Sequence, residues 1–80
     1  MNLEIITPEK KIFKGKVNSV VVPGSKGSFA ILKNHAPIIS TLTKGQVQVV
    51  AEDNETIDVE VSGGIIEVKR NSIIILADVI

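Results

Sequence analysis

The fold class of this chain is decided by residues 56–64, Thr-Ile-Asp-Val-Glu-Val-Ser-Gly-Gly. Apolar and polar side chains alternate through the first six of these residues, which is the pattern of a strand with one face in a core and the other in water. Ile57, Val59 and Val61 form the predicted core face. Gly63 and Gly64 can adopt positive φ without steric cost, so we expect them to form a turn after the strand.

Short apolar runs of the same kind recur along the rest of the chain. Turn-forming residues separate them, including Gly15, Pro23-Gly24, Lys44-Gly45 and Arg70-Asn71. No stretch of ten or more residues has helical periodicity. Eight to ten short strands at such close spacing predict an all-β domain, an antiparallel sandwich or barrel, over residues 1–80.

Composition limits the class of protein further. The 80 residues suffice for one small domain, and they include no cysteine. Stability must therefore come from a continuous apolar core rather than from disulfides or thiolate-bound metal. We expect no signal peptide, and the longest apolar run, residues 73–77, is far shorter than the roughly 20 residues of a spanning helix.

The charges balance overall but not locally. Residues 1–50 carry seven Lys and two Glu, whereas residues 51–80 carry seven acidic and two basic residues. Such asymmetry can guide docking onto charged partners, although ordinary solvated faces are the simpler explanation. No long run of like charge is present, and Phe13 and Phe29 are the only aromatic residues, so we expect no nucleic-acid partner.

The sequence offers little that catalyses a reaction. His35 is the only histidine, and no nucleophile motif or metal-ligand spacing surrounds it. The loop Gly24–Gly27 lacks the spacing of a phosphate-binding loop. We therefore predict no catalytic residues, no metal and no cofactor. A carrier domain bearing lipoyl or biotinyl on a lysine remains an alternative, although Lys26, Lys44 and Lys69 lack the flanking Met of such domains, and a generic β-sandwich adaptor is another.

The loops and their neighbours resemble the N-terminal domain of the epsilon subunit of F-type ATP synthases. The resemblance covers essentially the whole chain, in the order and spacing of that family. The segments that carry it are residues 7–17, 24–32, Asn34-His35-Ala36-Pro37, Lys44-Gly45, residues 62–68 and Ile75-Leu76-Ala77-Asp78.

This resemblance implies a flattened sandwich of two five-stranded sheets and a non-catalytic role in the rotor of the enzyme. It implies docking on the gamma subunit and on the c ring, which couples proton flow to ATP synthesis at the cytoplasmic face of a bacterial inner membrane. The positions expected to face the c ring are Gly24, Ser25, Lys26, Gly27, Ser28, Asn34, His35, Ala36 and Pro37. Those expected near gamma are Ala36, Ile39 and Val79.

Two departures from the family pattern bear on these expectations. Lys26 and Ser28 stand where acidic residues often occur in relatives, so no specific ion pair with the ring is implied. Most relatives continue past the Leu-Ala-Asp segment into an inhibitory helical hairpin. This chain stops at Ile80, so we expect neither that hairpin nor a bound nucleotide.

Overall fold

The computed structural model describes residues 1–79, and every regular element in that range is a strand. Ile80, the last residue of the predicted domain, lies outside the described residues. The predicted alternation of residues 56–61 is confirmed, since Ile57, Val59 and Val61 all pack into the core. The strands are β1 (Asn2–Ile6), β2 (Lys11–Val22), β3 (Phe29–Ile31), β4 (Ile38–Leu42), β5 (Gly45–Ala51), β6 (Thr56–Lys69) and β7 (Ser72–Val79).

The seven strands form two sheets because β2 and β6 are long enough to belong to both. Sheet I contains, in order, the first half of β2, β1, β7, the second half of β6, and β4. Sheet II contains the first half of β6, β5, the second half of β2, and β3. The all-β sandwich is therefore confirmed, with five segments in sheet I. Sheet II has four segments among the described residues, rather than the five that the resemblance implies. Its extents of 26 × 23 × 18 Å make it slightly flattened.

The two long strands pass between the sheets at β-bulges. In β2 the register shifts between Val17 and Ser19, and in β6 it shifts between Val61 and Gly63. A bulge adds one unpaired residue, which bends the strand and increases its twist. Each bulge therefore forms a corner of the sandwich.

The predicted turn at Gly63 and Gly64 is wrong, because both residues lie inside β6. Gly64 has φ of 152°, and a Cβ there would overlap the carbonyl oxygen of Leu76 on the neighbouring strand. Glycine is needed here for a strand corner with close backbone approach rather than for a hairpin. The predicted break at Gly15 is also absent, since β2 continues through it. The sequence predicted eight to ten short strands, whereas the described residues form seven strands, of which β2 and β6 are long.

One pairing differs from a fully antiparallel sandwich. β1 and β7 run parallel, with Leu3 opposite Ile73 and Ile5 opposite Ile75. Parallel strands need a long connection, and here residues 7–71, which include the five other strands, supply it. Both pairs point inward and belong to the core.

The core lies between the sheets and consists almost wholly of β-branched and aliphatic side chains. Phe13 and Phe29 are half-buried and pack against its edges. Thr7 is the one buried polar residue among those described, and its hydroxyl donates to the carbonyl of Lys10 at 3.0 Å. The buried apolar residues are Leu3, Ile5, Val17, Val20, Val22, Ile31, Leu42, Val47, Val49, Val61, Ile66, Val68, Ile73, Ile75 and Ala77.

Candidate functional site

The outer face of sheet I carries exposed apolar side chains. Ile39 of β4 is 71% exposed, Ile65 of β6 is 46%, Ile74 of β7 is 38% and Leu76 of β7 is 53%. We call these four residues the apolar patch. Exposed aliphatic residues gathered on one face of a small domain make that face a candidate docking surface.

Strand register explains why the patch is continuous. Ile39 lies opposite Glu67, which lies opposite Ile74 on the next strand. In the next outward-facing row, Ile65 lies opposite Leu76. Adjacent strands are about 4.8 Å apart, so neighbouring rows bring these side chains into contact range. Together with Glu67 they line one shallow depression on the surface.

The predicted gamma-facing residues do not all lie together. Ile39 belongs to the apolar patch, and Ala36 is exposed in the loop that precedes β4. Val79 is exposed at the end of β7, where it pairs with the core residue Val61. Because side chains alternate along a strand, Val79 is not on the same face as Leu76.

The loop Gly24–Ser28 forms one wall of an open groove of about 680 Å³. Its other wall is β4, and Phe29 contributes an apolar surface. Ser25 is held against β4, because its N–H donates to the carbonyl of Thr41 at 3.0 Å and its hydroxyl accepts a bond from Thr41 Oγ1 at 2.8 Å. Lys26 is the one charged residue lining the groove.

The second predicted ring-facing loop, Asn34–Pro37, lies at the other end of β3 and does not line this groove. Asn34 has φ of 67°, and the N–H of His35 donates to the carbonyl of Leu32 at 3.1 Å, which closes a turn. His35 is half-buried, and its Nδ1 lies 2.7 Å from the carbonyl oxygen of Ala36. The structure therefore presents two separate loops rather than one joined site.

The outer face of sheet II is polar. Gln46 lies opposite Glu60, and Gln48 lies opposite Asp58, and all four side chains are exposed. No exposed large apolar residue lies on β5 or on the first half of β6, the segments of these strands that belong to sheet II. Between β5 and β6 the outer face of sheet II is therefore polar, whereas the outer face of sheet I carries the apolar patch.

Two kinds of feature are absent from the described residues, a metal-binding cluster and a membrane-spanning helix. Within residues 1–79 no three His, Asp or Glu side chains come together in a way that would hold a metal ion. The same part of the chain contains no helix of the length and apolarity that a bilayer crossing requires. Its two ion pairs, Lys11 to Glu4 at 3.2 Å and Lys69 to Glu67 at 3.9 Å, lie at the surface.

Comparison with known proteins agrees with this arrangement of two sheets and two loops. Residues 1–80 match the family described as "ATP synthase, Delta/Epsilon chain, beta-sandwich domain". The chain belongs to this ATP synthase delta/epsilon family. Its match is to a sandwich domain of that enzyme rather than to a lipoyl or biotinyl carrier domain.

Family members named ATP synthase epsilon chain are similar to nearly the whole chain. The protein of Leptospira borgpetersenii is 46% identical over 78 residues, which are 98% of this chain and 61% of the relative. That of Chlorobaculum tepidum is 40% identical over 76 residues, covering 95% of this chain and 86% of the relative. The chain thus spans less than two thirds of the Leptospira relative but most of the Chlorobaculum one.

Two solved structures share the fold. A chain in the mitochondrial ATP synthase of Euglena gracilis superposes with a TM-score of 0.87 at 21% identity, covering 94% of this chain and 48% of that one. A chain in the central stalk and c-ring structure of the Tetrahymena thermophila mitochondrial ATP synthase gives 0.79 at 20% identity, covering 98% and 63%. At this identity the likeness establishes the architecture of the domain.

Three members of the apolar patch, Ile65, Ile74 and Leu76, are absent from the residues predicted as contacts. The signal that would have indicated Ile74 and Leu76 is the unbroken apolar run of residues 73–77. A strand with one face in water should alternate, whereas a strand that is apolar on both faces is normally covered on both. The run therefore predicts a covered outer face once β7 is known to be a strand.

Proposed function

We propose that this chain is a non-catalytic rotor subunit in the central stalk of a proton-translocating ATP synthase. In this role it docks on the gamma subunit and on the c ring and couples proton flow to ATP synthesis. It is a peripheral protein, held by the complex at the cytoplasmic face of a bacterial inner membrane. The reaction itself belongs to other subunits.

The observation that carries this proposal is the apolar patch on sheet I. Its four aliphatic side chains are packed by the strand register into one surface, with Glu67 between Ile39 and Ile74. Covering such side chains contributes about 25 cal/mol for each Å² of apolar area removed from water. We assign gamma to this face because Ile39 is one of the positions that the family resemblance places near gamma.

The loops Gly24–Ser28 and Asn34–Pro37 are the proposed contacts with the c ring. Residues 25–28 are exposed, as are Asn34, Ala36 and Pro37. Surface loops held by a rigid sheet are the usual positions of binding residues. Because the two loops lie at opposite ends of β3, the ring is met at two points rather than in one pocket.

Co-purification tests this function directly. A tagged copy of the chain is expressed in its native cells, the membranes are solubilised gently, and the captured proteins are identified by mass spectrometry. Gamma and c subunits are expected in stoichiometric amounts. An intact, coupled ATP synthase purified from the same membranes without this chain would contradict the proposal.

A further inference from the structure

The imidazole of His35 is fixed by the backbone of its own loop. Nδ1 lies 2.7 Å from the carbonyl oxygen of Ala36, which is hydrogen-bonding distance. A carbonyl oxygen carries no proton and can only accept. Ala36 precedes Pro37, which restricts it to an extended backbone and so limits the directions in which its carbonyl can point.

We infer that neutral His35 is held as the Nδ1–H tautomer, so that Nε2 presents a hydrogen-bond acceptor at the surface of this loop. Nδ1 must carry the proton because its partner cannot donate. In a neutral imidazole the other ring nitrogen then bears a lone pair and no hydrogen.

Nε2 is available to another molecule. Within residues 1–79 it has no hydrogen-bond partner, and no buried side-chain nitrogen or oxygen in that range lacks one. Because His35 is only half-buried, Nε2 is in reach of solvent. The acceptor is therefore oriented by the chain and open to a partner.

This orientation specifies the chemistry of the group that meets His35. The partner is a hydrogen-bond donor, such as an amide, hydroxyl or amine of the protein surface on which the loop docks. In its neutral form Nε2 has no proton to offer a carboxylate, so this acceptor is matched by a donor. This statement about the partner rests on the proposed docking of the loop on the c ring, whereas the tautomer does not.

The tautomer is tested first, on the free chain. Long-range hydrogen–nitrogen correlation NMR at alkaline pH, where imidazole side chains are neutral, distinguishes protonated from unprotonated ring nitrogens. We expect a protonated Nδ1 and an unprotonated Nε2 for His35, the only histidine of the chain. The Nε2–H form, or an average of the two forms, would overturn the inference.

Two matched variants then test the partner. In His35→Gln the side-chain amide reaches about as far as Nε2 of the histidine, and its oxygen can accept a hydrogen bond there. In His35→Asn the shorter side chain places its amide only at the position of Nδ1. Each purified chain is returned to ATP synthase that has been depleted of it, and its Kd is measured. We expect His35→Gln to bind within about twofold of the natural chain and His35→Asn to bind about two- to tenfold more weakly, which is the effect of one neutral hydrogen bond.

The outcomes separate the two proposals. Equal weakening by both variants, or no weakening by either, would overturn the assignment of a donor to Nε2 while leaving docking intact. If the natural chain itself does not bind the depleted enzyme, the proposed function fails and so does the statement about the partner. The NMR result decides the tautomer in either case.

Discussion

The outer faces of the two sheets differ in chemistry, although both are formed by strands whose side chains point alternately inward and outward. On sheet II the outward residues of β6 are Asp58 and Glu60, opposite Gln48 and Gln46. On sheet I the outward residues of β7 are Ile74 and Leu76, beside Ile65 of β6. Strand β6 contributes to both faces, and its outward residues change character at the corner formed by Gly63 and Gly64.

This difference shows that folding alone does not account for sheet I. A sandwich needs one apolar face on each sheet, and the inner faces already supply both. Exposed aliphatic residues on the outer face add nothing to the core, which makes this face a candidate for contact with another molecule. The predictions below test the assignment of inner, corner and outer positions in turn.

The largest loss of stability is expected when a charge is placed on the inner face of sheet II. Val59 lies opposite the fully buried Val47 and packs against the core. Val59→Asp should lower the free energy of unfolding by about 3 kcal/mol or more, because the carboxylate loses water without gaining a partner. That is a large part of the roughly 4–12 kcal/mol expected for a domain of this size.

Urea denaturation followed by circular dichroism measures this loss. The matched control is Glu60→Gln on the adjacent outward position, which should change stability by less than about 0.5 kcal/mol. Equal stability of Val59→Asp and the natural chain would mean that the faces of β6 have been assigned the wrong way round.

A smaller effect is expected at the corner between the faces. In Gly64→Ala the new methyl group would overlap the carbonyl oxygen of Leu76 and lie 3.1 Å from Cα of Ala77, at a φ that L-residues rarely adopt. We expect a loss of about 2–4 kcal/mol from overlap and backbone strain. Thermal unfolding is the measurement.

Gly63→Ala is the control for this corner, because its Cβ would find only the carbonyl oxygen of Leu42, at 3.6 Å. It should be tolerated with a loss below about 1 kcal/mol. Similar losses in the two variants would show that close approach of β7 at Gly64 is not what requires glycine.

On the outer face of sheet I, binding should change while folding does not. Leu76 is 53% exposed, so Leu76→Gln should leave the unfolding free energy within about 0.5 kcal/mol. Its Kd for ATP synthase depleted of the chain should rise roughly five- to tenfold, since part of a leucine side chain no longer gains from burial.

Gln48→Ala, on the outer face of sheet II, serves as the matched change and should bind normally. If Leu76→Gln binds as well as the natural chain while Gln48→Ala binds poorly, the covered face is sheet II and the comparison between the faces is reversed.

The smallest effect is expected in the groove loop. Lys26 is exposed and makes no ion pair among the described residues. Lys26→Ala should leave the fold intact and reduce proton-driven ATP synthesis in membrane vesicles by about twofold or less, as is typical of exposed charges at the edge of an interface. The control is Lys14→Ala, because Lys14 is an exposed lysine on β2, away from the loop. If Lys14→Ala reduced ATP synthesis as much as Lys26→Ala, the cause would be a general effect of charge rather than contact by the loop.

The sequence predicted the parts of the fold that depend on local chemistry. The alternation in residues 56–61 identified the core face of β6, and the turns at Pro23-Gly24 and Arg70-Asn71 are present. It failed at Gly63-Gly64, because a glycine pair suits a hairpin turn and a bulged corner equally well. A bulged corner is distinguished from a hairpin turn by the pairing of β6 with β4 on one side and β7 on the other. Part of this pairing joins residues that are far apart in sequence.

Of the four residues of the apolar patch, only Ile39 was named from the sequence. The other three depend on contacts between strands that are distant in sequence. The exposure of Ile39 could not be decided from the sequence, since an isoleucine in a short apolar strand suits either face. The rest of the patch depends on β4, β6 and β7 lying side by side in one register. The tautomer of His35 was equally out of reach, because it depends on where a single carbonyl points.

The continuity of β2 and β6 has a mechanical consequence. Sandwiches whose sheets touch only through side chains can slide by exchanging those contacts. Here two unbroken lengths of backbone cross from one sheet to the other, at Val17–Ser19 and at Val61–Gly63. Shear between the sheets would have to pull apart the strand ladders that flank these crossings, so the domain deforms as one stiff body.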